Sequence, residues 1–120
     1  MTKRRSLLGD SGETAAAGFL RAKGYKIIIA NYRCPLGEID LIARDGRTLV
    51  ACEVKTRTDD GAGHPLESIT PGKRTKLRRA AAHYWEYEAD QSLAFRFDFV
   101  AVFEKDGVTR IEHLIDALQE

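Results

Sequence analysis

The sequence of 120 residues predicts an α/β protein, a mixed β-sheet flanked by helices. Segments with helical periodicity alternate with runs rich in β-branched and aromatic residues, in the order α-β-β-β-α-β-β. Helices at both ends of a group of strands are accommodated as layers that cover a central sheet. Hydrophobic residues make up 43% of the chain, which is enough to build one buried core. We therefore expect one domain over residues 10–120, preceded by a flexible basic arm at residues 1–9.

The first half of the chain begins with a helix. Asp10 or Ser11 is a suitable start, and Gly24 ends the helix after Lys23. The β-branched residues of KIIIANY (26–32) predict the first strand.

A β-hairpin follows, formed by GEIDLIARDG (37–46) and LVACEVKTR (49–57). Asp-Gly between apolar runs is a strong turn signal, so we place the turn at Asp45 and Gly46. This register sets Asp40 opposite Ala51 and Glu38 opposite Glu53. Because alternate residues share a face, Glu38, Asp40, Glu53 and Lys55 should project from the same side of the sheet.

The second half contains a loop, a helix and another hairpin. Glycines and a proline predict the loop, and Asp106-Gly107 marks the hairpin turn. The predicted elements are a loop at 58–65, a helix at 73–88, strands at 93–104 and 108–114, and a short helix at 114–119.

Charge and cysteine content narrow the class of protein. The net charge is +1, but basic residues cluster in TKRR (2–5) and KRTKLRR (73–79). Cys34 and Cys52 are too few and too far apart for a zinc motif, so we expect reduced thiols, with Cys52 buried in a strand. We find neither an apolar run of membrane-spanning length nor a signal peptide, and we expect a cytoplasmic protein without a membrane partner.

Asp40 and Glu53 are the first candidates for chemistry. In the predicted register they are diagonal neighbours, roughly 7–8 Å apart between backbones. Two carboxylates at that separation can converge on a hard cation such as Mg²⁺. The alternative is a solvated strand face with alternating charge, which is disfavoured because the neighbouring residues on both faces are largely apolar.

Glu13 and Lys55 are further candidates. Glu13 shares a helix face with Ala16 and Leu20, where a carboxylate must find a proton, a cation or a metal. Alternatively, it completes a capping box with Asp10. Lys55 could orient an attacking water or stabilise a phosphate, or form an ion pair with Glu53.

Basic residues of the second helix suit contacts with phosphates. Lys73 lies on the apolar stripe with Leu77, Ala80, Ala81, Tyr84 and Tyr87, from which it either reaches a site at the sheet edge or extends to solvent. The remaining basic residues could equally form a solvated helix face. The residues expected to bind nucleic acid are Arg57, Lys73, Arg74, Lys76, Arg78 and Arg79.

Other sites are not indicated by sequence motifs. The three histidines, at 64, 83 and 113, lack metal-ligand spacing and are expected to be structural or exposed. The glycines match neither a phosphate-binding loop nor a dinucleotide fingerprint.

The combination of GEIDLIA and EVKTR, after a helix that carries Glu, resembles the PD-(D/E)xK superfamily of nucleases. Nearly the whole chain resembles the YraN-type uncharacterised family, through residues 9–16, 30–46, 50–57, 70–77 and 96–102. The resemblance implies a three-layer restriction-endonuclease-like fold with an αβββαβ core. Ile39-Asp40 replaces the Pro-Asp of the signature, and Cys52 takes the hydrophobic position before Glu53.

The resemblance also implies Mg²⁺- or Mn²⁺-dependent hydrolysis of phosphodiester bonds. Asp40, Glu53 and the Val54 carbonyl would hold the metal, and Lys55 would orient the water. Glu13 would correspond to the acid on the first helix of Holliday-junction resolvases.

We therefore expect a nuclease that acts on DNA, with branched or damaged DNA as a candidate substrate. A homodimer would suit a two-stranded substrate. The alternatives are a nucleic-acid-binding module without turnover and a scaffold for protein interactions.

Overall fold

The computed structural model describes residues 11–58, 67 and 69–118. These residues form a five-stranded sheet with strand order β1-β2-β3-β4-β5 and two α-helices, which confirms the predicted α/β class. β3 and β4 are parallel, and the other neighbouring strands are antiparallel. The elements are α1 (Ser11–Ala22), β1 (Lys26–Cys34), β2 (Gly37–Asp45), β3 (Thr48–Thr58), α2 (Pro71–Tyr87), β4 (Ala94–Lys105) and β5 (Val108–Leu114).

The two helices cover opposite faces of the sheet and give three layers. The α1-side core comprises Ala16, Ala17, Leu20, Tyr25, Ala30, Leu41, Ala43, Val50, Cys52, Val100 and Val102. The α2-side core includes Tyr32, Ile39, Ile42, Leu49, Ala51, Leu77, Ala80, Ala81, Tyr84, Phe99 and Ala101. Each apolar helix face thus meets the sheet, as the periodicity predicts. Tyr87 departs from the predicted stripe, because it lies at the end of α2 and is 69% exposed.

The turn between β2 and β3 differs from the prediction. Asp45 pairs with Thr48, so the central residues are Gly46 and Arg47, and the predicted register is wrong by one residue on each strand. Gly46 has φ 60°, and glycine at the first central position is typical of a type II′ turn. Because each strand shifts by one residue in the same sense about the turn, pairs still join odd to even positions. The paired residues, 41–45 and 48–52, therefore keep their predicted faces, and the new register brings Asp40 from a diagonal position toward Glu53.

The predicted helix at the C-terminus is wrong over the residues that the structure describes, because residues 115–118 form turns. Asp116 has φ 60°, which is incompatible with a right-handed helix. Its backbone N–H donates to Asp98 Oδ1 at 3.0 Å, and the Ala117 N–H donates to the Phe97 carbonyl at 2.8 Å. The chain end is thus tied to β4 instead of forming its own helical hydrogen bonds.

The predictions for the basic arm, the loop after β3, the cysteines and membrane-spanning helices have separate outcomes. The basic arm at 1–9 and nearly all of the predicted loop at 58–65 lie outside the described residues. Both cysteines are free, and Cys52 is buried as expected. Among the residues with a described structure, no helix is long and apolar enough to cross a membrane.

Candidate active site

The ladder between β2 and β3 ends where the acidic residues begin. Its last pair joins Leu41 to Cys52. Hydrogen-bonded pairs alternate along an antiparallel hairpin, so the next bond would join the Val54 N–H to the Ile39 carbonyl. Instead, the Val54 N–H donates to Asp40 Oδ2 at 2.8 Å. The Asp40 carboxyl thus replaces a backbone acceptor at the point where the two strands separate.

The β1–β2 ribbon turns over at the same point. Regular alternation would place Ile39 on the face of Leu41, but Ile39 belongs to the α2-side core and Leu41 to the α1-side core. Tyr32 and Ala30 on β1 divide between the two cores in the same way. Between them lies Asn31 with φ 56°, a conformation that asparagine tolerates better than most residues. This reversal bends the end of the ribbon toward α2.

The end of the ribbon is firmly docked on α2. Gly37 has φ 152°, and a Cβ atom added there would lie 3.1 Å from the Lys76 carbonyl oxygen. Tyr32 Oη is hydrogen bonded to His83 Nδ1 at 3.0 Å, and its ring packs edge-on against Tyr84 with centroids 5.3 Å apart. A residue with a side chain at position 37 would therefore push the ribbon away from the helix.

A cleft of about 740 Å³ opens between this ribbon end and the first turns of α2. Asp40 and Glu53 line it, and both side chains are half-buried. Basic residues line both sides of the acids, with Arg33 on the ribbon and two lysines on α2. The full lining is Arg33, Cys34, Pro35, Leu36, Gly37, Glu38, Asp40, Glu53, Lys73, Lys76 and Leu77.

The carboxyl groups of Asp40 and Glu53 are hydrogen bonded to each other. Burial and the neighbouring charge of Glu53 raise the pKa of Asp40 to about 7. Burial also raises the pKa of Glu53, although its hydrogen bond with Asp40 and the charges of Lys55 and Lys73 oppose the change. Two neighbouring carboxyls whose pKa values are both raised form a place where a cation can replace a proton.

Two lysines from different elements face the acid pair. Lys55 is half-buried on β3, and Lys73 extends from the first turn of α2, whose cap is the Thr70 hydroxyl accepting from the Lys73 N–H at 3.2 Å. Burial and the charge of the neighbouring Lys73 lower the pKa of Lys55. Two adjacent ammonium groups repel each other, which makes the space between them favourable for an anion.

The other predicted site residues are more widely spread. Lys76 lines the cleft, and Arg57 lies close enough to Lys55 for its charge to lower the pKa of Lys55. Arg78 donates from Nη2 to the Leu118 carbonyl at 2.8 Å, a contact that ties the chain end to α2. Arg79 is exposed on the same helix, whereas Arg74 is half-buried there.

Glu13 lies in a different layer of the fold from the acid pair, because it belongs to the first turn of α1. α1 packs on the face of the sheet opposite to α2, and Glu13 is half-buried. Within residues 11–58, 67 and 69–118, no group of three or more His, Cys, Asp or Glu side chains is arranged to hold a metal ion. The role of Glu13 as a third acid therefore stays a prediction.

The acid pair nevertheless fits a divalent cation of the magnesium type. Mg²⁺ is usually bound by one or two carboxylates and keeps several waters, instead of occupying an all-protein cage. Asp40 and Glu53 supply two carboxylates in mutual contact, and they border an open cleft with room for waters. Val54 contributes to this site through its backbone N–H, which donates a hydrogen bond to Asp40 Oδ2.

The ribbon end is a part of the site that no sequence motif indicated. Arg33, Leu36 and Gly37 line the cleft, but they precede the recognised motif and suggest only a connection between strands. The usable signal is Gly37, two residues after Pro35, since a glycine at a strand start can mark a close approach of backbones.

The layers and the αβββαβ order, with an acid pair and a lysine at the β2–β3 separation, define a protein of the restriction-endonuclease-like fold class. A family model described as "Uncharacterised protein family UPF0102" matches residues 12–102. The chain belongs to this family, which is the YraN-type family of the resemblance noted above.

Relatives named "UPF0102 protein" cover most of the chain. One from Moorella thermoacetica is 48% identical over 103 residues, which span 86% of this chain and 84% of that protein. Another from Chlorobaculum parvum is 50% identical over 95 residues, which span 79% of this chain and 74% of that protein. A third, from Geotalea uraniireducens, is 41% identical over 113 residues, which span 93% of this chain and 89% of that protein.

Proposed function

We propose that this protein is a metal-dependent nuclease that hydrolyses phosphodiester bonds of DNA in the cleft beside α2. The observation that carries the proposal is the contact between the Asp40 and Glu53 carboxyls, half-buried and faced by Lys55 and Lys73. Like charges forced together destabilise a fold, and such strained titratable groups are concentrated at functional sites. The arrangement is suited to a cation bound on one side and a phosphate on the other.

The roles of the residues follow from their chemistry. Asp40 and Glu53, with the Val54 carbonyl, would hold Mg²⁺ or Mn²⁺. When bound, the ion would supply charge neutralisation at the scissile phosphate and increase the acidity of a water. The Lys55 ammonium would orient that water and donate to a phosphate oxygen, and Lys73 would bind the same phosphate from the helix side. Arg33 and Lys76 would hold neighbouring phosphates along the cleft.

The test compares Glu53→Gln with Glu86→Gln, an exposed acid on α2. Labelled duplex, forked, four-way and single-stranded DNA, with matching RNA, are incubated with Mg²⁺ or Mn²⁺. We expect Glu53→Gln to abolish metal-dependent cleavage while the unfolding transition is retained, and Glu86→Gln to cut like the parent protein. Equal cleavage by the Glu53 variant and the parent would refute the assignment.

The hydrogen bond from the Val54 N–H to Asp40 favours a second candidate, because it gives that carboxyl a structural role. In this case the protein would bind nucleic acid through Arg33, Lys73 and Lys76 without turnover. Binding would then weaken with salt and be indifferent to Mg²⁺, whereas a nuclease site should respond to the metal. Absence of binding to every nucleic acid in the panel would instead favour a scaffold for protein interactions.

A further inference from the structure

An exposed apolar side chain stands at the rim of the candidate active site. Pro35 and Leu36 form the turn that joins β1 to β2, and both border the cleft that holds Asp40 and Glu53. Leu36 is 48% exposed, although the ribbon beneath it is packed. The polar surroundings do not explain a leucine at this place, since Arg33 and Glu38 flank it as an exposed ion pair with a distance of 3.3 Å.

The ribbon end holds Leu36 in a fixed position. Gly37 contacts the α2 backbone without space for a Cβ atom, and the half-buried Cys34 packs against the α2-side core on the other side of the turn. The turn is therefore anchored immediately before and after its two central residues. A rigid apolar projection of this kind costs little conformational entropy when it inserts into a binding partner.

The position of the acids in the cleft favours one strand over two. Asp40 and Glu53 line a cleft of about 740 Å³ and are half-buried in it, so a flexible single strand reaches them more easily than a stiff base-paired duplex does. To bring a phosphate to Asp40 and Glu53, a strand must therefore leave its partner near the rim. Basic residues on both sides, Arg33 on the ribbon and Lys73 on α2, would hold the backbone of that strand.

We infer that Leu36, with Pro35, is a wedge that stacks on the last base pair where a single strand leaves a duplex. This inference rests on the proposed function and specifies its substrate as DNA with a junction between paired and unpaired segments. Leucine and proline are among the side chains that proteins insert between base steps. Extrusion is least costly next to unpaired or mismatched bases, which directs the site to forks, flaps and branch points.

The test measures base opening without cleavage. The full chain with Glu53→Gln is titrated onto a forked DNA that carries 2-aminopurine in the last base pair, whose fluorescence rises when the base unstacks. The same titration is done with Leu36→Ala added, and with Ile115→Ala added as the control. Ile115 has a similar exposure of 54% and lies in the C-terminal turn.

We expect the Glu53→Gln protein and the Ile115 control to raise the fluorescence at saturation. Leu36→Ala should fail to raise it and should bind the fork on the order of tenfold more weakly, because about half of the leucine surface remains to be buried. Its affinity for a fully single-stranded oligonucleotide should change by less than about twofold, because no pair must be opened there. The substitution is at an exposed position, and an unchanged unfolding transition verifies that the fold is retained.

Several outcomes would overturn the inference. One is that the protein with Leu36→Ala gives the same fluorescence and affinity as the protein that retains Leu36. Another is that Leu36→Ala weakens binding to single strands as much as binding to the fork, which would make Leu36 a general contact. If the parent protein binds no nucleic acid, both this inference and the proposed function fail. If it binds and opens the fork but does not cleave with Mg²⁺ or Mn²⁺, the nuclease proposal fails and the wedge stands.

Discussion

Asp98 on β4 offers the sharpest test of how the sheet is held together. It is 3% exposed, and three groups from different parts of the chain donate to its carboxylate. Arg96 Nε donates at 2.9 Å, His113 Nε2 at 2.7 Å and the Asp116 N–H at 3.0 Å. The carboxylate therefore joins β4, β5 and the C-terminal turn.

We expect Asp98→Ala to destabilise the protein by about 3 kcal/mol. Removal of one partner from a buried ion pair typically costs about 3–5 kcal/mol, because the other partner stays buried without compensation. Arg96 moderates the loss, since its Nη2 donates to the Tyr25 hydroxyl at 2.7 Å and its side chain is 19% exposed. For a domain of this size, the loss corresponds to a decrease in Tm of about 10–15 °C.

The stabilisation should depend on pH in one direction. Burial opposes ionisation of Asp98, but hydrogen bonds from His113, Arg96 and Asp116 outweigh it and hold the pKa below its usual value. A group whose pKa is depressed on folding stabilises the fold above its unfolded pKa, which is about 4 for aspartate, and loses that effect as the pH falls through the folded pKa. The difference between Asp98→Ala and the parent should therefore shrink below about pH 4.

Urea unfolding followed by far-UV circular dichroism, at neutral pH and at about pH 3, measures both effects. Asp98→Asn should be intermediate, because its carbonyl oxygen still accepts a hydrogen bond, and Glu86→Ala on the exposed face of α2 should be nearly neutral. A loss below about 1 kcal/mol at neutral pH would refute the reasoning, because that is the ordinary effect of a single neutral hydrogen bond. An equal loss at both pH values would show that the charge of Asp98 is not involved.

Two further substitutions test the site and its ribbon. Asp40→Asn should stabilise the metal-free protein above about pH 8 by at least about 1 kcal/mol. The pKa of Asp40 is raised to about 7, so the stability tied to its proton is lost as the pH rises through that value. Urea unfolding measures the difference in stability, and a variant less stable than the parent at every pH would contradict the interpretation. Gly37→Ala should destabilise by about 1–3 kcal/mol, because its φ of 152° and the Lys76 carbonyl leave no room for a methyl group. Gly18→Ala, in α1 with nothing within 4 Å, should instead stabilise by about 0.5–1 kcal/mol, and thermal unfolding should show shifts of opposite sign for the two glycines.

The faces of the central hairpin were predictable although its turn was not. Alternation along a strand has a period of two, so a register that slips by one residue on each strand leaves the side chains of the paired residues, 41–45 and 48–52, on their predicted faces. Asp40, Glu53 and Lys55 therefore remained together when the turn moved to Gly46 and Arg47. Their distance was not predictable, because it depends on which residues stand directly opposite.

The ribbon end could not be predicted from local pattern, because its position depends on contacts distant in sequence. Ile39 alternates with Leu41 in the sequence but packs in the other core, owing to the backbone reversal at Asn31. No local preference demands φ 56° at an asparagine; the reversal is stabilised by the docking of Tyr32 on α2. The turn at Asp116 is similar, since its N–H is bound by a carboxylate 18 residues earlier. Propensity is overruled at both positions by tertiary hydrogen bonds and packing.

Asp40 and Asp98 show how a structural acid differs from one available for binding. Both are aspartates on central strands, on opposite faces of one sheet. The carboxylate of Asp98 is surrounded by three donors, which overcome burial and keep its pKa low. Asp40 has the Val54 N–H as a donor but faces a second carboxyl, so burial and the charge of Glu53 raise its pKa. The carboxylate of Asp98 is compensated by its donors, whereas Asp40 faces a second acid, and under the proposed function a divalent cation would neutralise both carboxylates.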